Sequence, residues 1–163
     1  MTMNRRLLTF GLVAFLCLVG FAAVEPVASQ KLELKPGWNL VTIQFPVVEA
    51  DLERFLALQP MRLDAARKCF VRCVRKSEVK VGAGYWVYSR GAQTVELTQD
   101  QSQTAWSTMP LSSGWNLIGV ASQSAWQGRA SVIWQWLDGG YQVVSPAELT
   151  AGSAYWATSE ARE

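Results

Sequence analysis

Gly37-Trp38-Asn39-Leu40 returns 77 residues later as Gly114-Trp115-Asn116-Leu117, and that recurrence decides how the chain is read. The match continues on both sides. Leu32 and Leu34 align with Met109 and Leu111, and Val41 and Ile43 with Ile118 and Val120. A second motif follows the first in both halves. Glu78-Val79 and Gly82-Ala83-Gly84-Tyr85-Trp86-Val87 correspond to Glu148-Leu149 and Gly152-Ser153-Ala154-Tyr155-Trp156-Ala157, at an offset of 70. Tryptophan is rare, so two Trp-containing motifs recurring in one order mark an internal duplication. Repeat 1 covers residues 31–98 and repeat 2 residues 109–163, joined by a polar connection over 99–108.

Each motif reads as a turn followed by a strand. Pro36-Gly37 and Ser113-Gly114 supply the turns. Beyond them, Trp38, Leu40 and Thr42 share one face, and Asn39, Val41 and Ile43 the other. Apolar residues on both faces predict a strand covered on both sides. Strands are also expected at Tyr85–Tyr88 and Thr94–Thr98. Val132–Leu137 and Tyr141–Val144 form an expected hairpin around a Gly-rich loop. Leu52, Phe55 and Leu56 have helical spacing within Glu49–Leu58, stopped by Pro60. A weaker helical counterpart lies over 122–130. The expected fold is therefore mainly β with one or two short helices. Two pseudo-symmetric repeats should build one small antiparallel barrel or sandwich. Lys31–Leu34 alternates as Thr94–Leu97 does, and the final Tyr-Trp strand would otherwise be an open edge. The first strand is accordingly expected to close against the last, near residues 155–158.

The pattern Leu-x-x-Gly-Trp-Asn-Leu-(Val/Ile), followed by Gly-x-(Gly/Ala)-Tyr-Trp, resembles a tandem repeat of exported and cell-surface bacterial proteins. The resemblance covers both copies. It implies a β-rich architecture and an extracytoplasmic setting, and it brings no catalytic residue. Repeat 1 departs from the pattern in its middle, where a basic, Cys-containing stretch replaces the aromatic hairpin.

The N-terminus agrees with export. Arg5 and Arg6 precede an uncharged apolar run over Leu7–Val24, which Glu25-Pro26 ends and Val27-Ala28-Ser29 follows. Residues 1–29 read as a signal peptide, with an N-terminal membrane anchor over 7–24 as the alternative if the segment is uncleaved. The chain of 163 residues contains no histidine, which removes imidazole catalysis and His-ligated metals. Cys69 and Cys73 alone make a poor zinc site. Their pairing depends on local structure, because four residues of strand span about 13 Å, too far for a disulfide. No P-loop, dinucleotide fingerprint or nucleophile elbow occurs. Asp51 and Glu53 read as acids favoured by a helix N-terminus. No catalytic, cofactor or metal site is assigned, and no enzyme activity is expected.

Two sets of residues remain as candidates. The rings of Trp126, Trp134, Trp136 and Tyr141 form either a sugar-stacking platform or part of the core. Trp38, Trp86, Trp115 and Trp156, fixed by the repeat, are expected in the core. Arg67, Lys68, Arg72, Arg75 and Lys76 belong to a basic run that serves either an anionic partner or an ordinary solvated face. The net charge of +2 gives no argument for nucleic acid. The expected partner is an envelope or extracellular protein or glycan, and the expected role is a non-enzymatic binding module. The alternatives are carbohydrate binding through the repeat-2 aromatics and a structural part of an envelope assembly.

Overall fold

A computed structural model describes residues 27–103, 110–121, 130, 132–137 and 139–159. Repeat 1 contributes β1 (Ser29–Leu34), β2 (Gly37–Thr42), α1 (Glu49–Ala57), β3 (Met61–Asp64), β4 (Cys69–Arg72), β5 (Gly84–Ser89) and β6 (Gln93–Thr98). Repeat 2 contributes β7 (Gly114–Gly119), β8 (Val132–Leu137), β9 (Gly140–Val144) and β10 (Ala154–Ser159). One antiparallel sheet has the order β2-β5-β3-β4 and a second has β7-β10-β8-β9. The orders correspond strand for strand. A third sheet is the pair β1-β6. Among the described residues no sheet closes on itself, so the architecture is a sandwich and not a barrel.

The turn that starts each repeat is built by its own motif. Gly37 and Gly114 have φ of +96° and +88°, which an L side chain rarely adopts. The following asparagine then ties the turn shut. Asn39 Oδ1 accepts the Lys35 N–H at 2.8 Å, and its Nδ2 donates to the carbonyls of Lys35 and Gly37 at 2.8 and 3.0 Å. Asn116 repeats this with Ser112 and Gly114, at 2.8, 2.8 and 2.9 Å. The downstream motif is a second repeated device. Glu78 Oε2 accepts the Val74 and Arg75 N–H groups, and Glu148 Oε2 accepts that of Ser145. Seven residues on, the Tyr85 hydroxyl accepts the Lys80 N–H at 2.5 Å, and the Tyr155 hydroxyl accepts that of Thr150 at 2.9 Å. Each tyrosine thus holds the loop entering its own strand while its ring is fully buried.

The outer faces of the two main sheets carry separate cores. In repeat 1, Val41, Ile43, Tyr85 and Val87 pack with Phe55 of α1 and with Leu32, Leu34 and Leu97 of the β1-β6 pair. In repeat 2, Ile118, Val120, Ile133, Leu149, Tyr155 and Ala157 form the equivalent cluster. Asp51 is buried in α1, yet its Oδ2 accepts the Thr98 N–H at 2.7 Å, and its Oδ1 pairs with Arg54. Burial alone would raise its pKa; the hydrogen bonds from Arg54 and Thr98 outweigh that and lower it. This acid therefore does more than meet the helix dipole: it fastens α1 to the end of β6.

The inner faces meet about a pseudo-two-fold axis. Val41 bridges to Ser153 and Ala83 to Ile118, an exchange of equivalent positions between the repeats. The fit there is close. A Cβ at Gly84 would stand 2.8 Å from Leu117 Cγ, and one at Gly119 only 1.7 Å from Thr42 Oγ1. Thr42 and Gly119 are themselves equivalent positions, so a bulge on one repeat occupies a hollow on the other.

The expected closure of the first strand against the last does not occur. β1 pairs along its length with β6 of its own repeat, from Ser29 opposite Thr98 to Leu34 opposite Gln93. The premise also fails, because β10 lies inside its sheet between β7 and β8. The similar alternation of the two segments reflects their pairing with each other, both presenting leucines to one core. In the middle of repeat 1, residues 61–72 form a hairpin with Leu63 opposite Phe70, in the place that β8-β9 holds in repeat 2; the basic stretch changes the side chains and keeps the element. The helical segment expected over 122–130 lies outside the described residues, apart from Ala130.

Candidate functional site

The register fixes which side chains share the inner faces. Met61 is opposite Trp86, and Trp134 is opposite Trp156. Since Trp86 and Trp156 are repeat equivalents, Met61 matches Trp134, Leu63 matches Trp136 and Phe70 matches Tyr141. Alternation then puts Trp38, Tyr88, Trp86, Leu63 and Phe70 on one inner face, with Trp115, Trp156, Trp134, Trp136 and Tyr141 on the other.

Each hairpin crosses the pseudo-dyad to the tryptophan of the other repeat. Trp136 meets Trp86 edge to face, with ring centroids 5.4 Å apart, and Phe70 meets Trp156 in the same way at 6.0 Å. The two crossings differ in what fills them. On one side Trp136 sits between Trp86 and Tyr141, and Trp86 is left only 8% exposed. On the other side Leu63 stands where an indole would match Trp136. The space left is a groove of about 700 Å³ lined by Leu63, Ala65, Lys68, Phe70, Ser113, Gly114, Trp115, Trp134, Tyr141 and Trp156. That volume falls in the range of about 300–1,000 Å³ usual for small-ligand sites. The indole Nε1–H of Trp156 is buried without a hydrogen-bond acceptor among the described residues.

Two of the four candidate aromatics, Trp134 and Tyr141, line this groove directly. Trp136 meets Tyr141 edge to face at 4.8 Å and faces the filled side. Trp126 lies outside the described residues. The tryptophans expected in the core divide. Trp86 is buried and Trp156 half-buried, but Trp38 and Trp115 are 50% and 51% exposed. Both stand at the open end of their strands, one residue past the turn glycine, where the opposing sheet no longer covers them. Trp38 keeps edge contacts to Tyr88 and Trp86 at 5.3 and 6.3 Å, and Trp115 one to Trp156 at 5.9 Å. A two-residue period gives the face a ring lies on and is silent on how far the facing layer extends.

The basic run does not form one patch. Arg67 pairs with Asp64 at 3.9 Å, Arg75 with Glu78 at 3.9 Å, and Lys76 with Glu49 and Glu53 of α1. Lys68 and Arg72 have no ion pair among the described residues. Lys68 closes the β3-β4 turn at φ +53° and lines the groove; Arg72 shares the sheet face of Phe70. Cys69 is exposed, Cys73 is buried, and both are free. Burial raises the Cys73 pKa, so its thiol is held protonated. Among the described residues no group of three or more His, Cys, Asp or Glu residues is placed to hold a metal ion, and no helix is long and apolar enough to cross a membrane.

No protein-family model matches the chain, and neither a curated protein nor a solved structure matches it.

Proposed function

We propose that the protein is a non-enzymatic binding module and that its ligand is a saccharide seated in the groove between the two repeats. One observation carries the reading: a Trp/Tyr/Phe-lined groove stands open where the pseudo-symmetric position is plugged by Trp136. A ring face is electron-rich and attracts the C–H groups on the flat side of a pyranose. Trp115 is half exposed at the groove edge, and Tyr141 is nearly as open. The test is calorimetric titration of the full chain against a panel of oligosaccharides, repeated with Leu63→Trp. The added indole should fill the groove as Trp136 fills its counterpart and weaken binding by more than about tenfold, or about 1.4 kcal/mol. Undiminished binding by a folded Leu63→Trp variant would place the ligand elsewhere.

We further propose that the protein works outside the cytoplasm, after removal of the N-terminal segment. The support is the sequence over 1–29 together with the start of the fold. The Ala28 carbonyl accepts the Gln99 N–H at 2.9 Å, and β1 begins at Ser29. A cut that spares this sheet falls at or before Ala28. N-terminal sequencing of envelope material should find that start; an intact Met1 would favour the membrane anchor.

A further inference from the structure

We infer that the saccharide is acidic, with a sugar ring stacked on the groove aromatics and its carboxylate held by the Lys68 ammonium. The inference rests on the groove being the binding site. Among the described residues Lys68 is the single charged residue of the groove lining, and no carboxylate of theirs accompanies it there. The neighbouring acid, Asp64, is engaged: its Oδ1 accepts the Arg67 N–H at 3.0 Å and its Oδ2 lies 3.9 Å from Arg67 Nε. Lys68 itself is exposed and has no ion pair among the described residues, so its charge is available to a ligand. Its left-handed backbone conformation ends the β3-β4 turn, which places it on the same hairpin as Phe70, the ring that crosses to Trp156. A neutral sugar would use the rings alone. A uronic acid adds a charge-assisted hydrogen bond at one end of the groove, which sets the direction in which the sugar lies.

The experiment titrates the full chain with a galacturonic acid trisaccharide and with its methyl ester, which keeps the ring faces and removes the charge. At low salt the acid should bind at least about tenfold more tightly than the ester, the effect of one hydrogen bond to a charged group. The preference should shrink as salt is raised. Lys68→Met should bring the ratio of acid to ester affinity to about one, since the charge interaction is lost and the rings remain. A thermal melt of Lys68→Met that overlays the parent shows the fold intact, and Lys68→Arg should retain the preference. Equal binding of acid and ester, or a preference that survives Lys68→Met, overturns the acidic-sugar inference and leaves the groove reading standing. Binding of neutral sugars alone has the same consequence. Absence of any saccharide binding overturns both.

Discussion

Asp51 shows how much one side chain carries. It is 3% exposed, and it accepts hydrogen bonds from its own helix through Arg54 and from β6 through the Thr98 N–H. Removing a buried partner of this kind costs about 1–3 kcal/mol, because the Thr98 donor is then left unmet. Asp51→Ala should therefore lower stability by that amount in urea denaturation. The Arg54 pair deserves a small share, since that guanidinium is largely in water. The same group gives a pH dependence. Its folded pKa lies below the ordinary 3.8, so its contribution is complete above that value and is lost as pH falls through the folded pKa. Acid titration of the parent should show a loss of stability below about pH 4 that Asp51→Asn lacks at that site. Trp115 behaves in the opposite manner. Emptying a large core site costs about 3–5 kcal/mol, but this half-exposed ring has one edge contact among the described residues, worth about 0.5–1.5 kcal/mol. Trp115→Ala should cost about 1 kcal/mol in the same assay and reduce saccharide binding far more than stability suggests.

The Gly-Trp-Asn-Leu element is a turn lock before it is a strand. Asn116 makes three hydrogen bonds while 4% exposed, whereas Asn39 makes the same three nearer to solvent. Asn116→Ala should therefore destabilise by about 2 kcal/mol, and Asn39→Ala by about half that, measured by chemical denaturation. The repeated asparagine was visible in the sequence as part of a motif; its action on the chain two and four residues back was not. What could be read directly was alternation and repetition. The strands at 85–88, 94–98 and 132–137, the helix from Glu49 and the hairpin around Gly139-Gly140 all follow from those patterns. The β3-β4 hairpin leaves a weaker trace, because its exposed residues are basic and cysteine, and only Met61, Leu63 and Phe70 mark its inward face. The groove was half legible. Trp134 and Tyr141 could be proposed from their setting and Lys68 from the basic run, but that Lys68 and Phe70 share one groove with them follows only once the hairpin is known to cross the pseudo-dyad. Leu63 gave no signal of its own, since its meaning lies in being smaller than Trp136.

At the scale of the molecule, two sheets with separate outer cores share one inner seam. The seam is tightest where Gly119 faces Thr42, whose hydroxyl donates to the Ala83 carbonyl at 2.8 Å. A methyl at position 119 would stand 2.9 Å from that carbonyl as well as inside the Thr42 side chain. Gly119→Ala should cost about 1–3 kcal/mol, the usual range for overpacking, and more if the Thr42 hydrogen bond breaks. Thr42→Gly removes both the Oγ1 and the Cβ that the new methyl would meet, so Gly119→Ala should cost less in that background, and a double-mutant cycle on thermal melts measures the coupling. The pairing of Thr42 with Gly119 also fixes which half can stand opposite which. Two identical copies of repeat 1 would set threonine against threonine at this point, and two copies of repeat 2 would leave a void there. The two halves are therefore complementary and not interchangeable. Leu63 against Trp136 breaks the symmetry in the same sense, leaving one crossing filled by an indole and the other open.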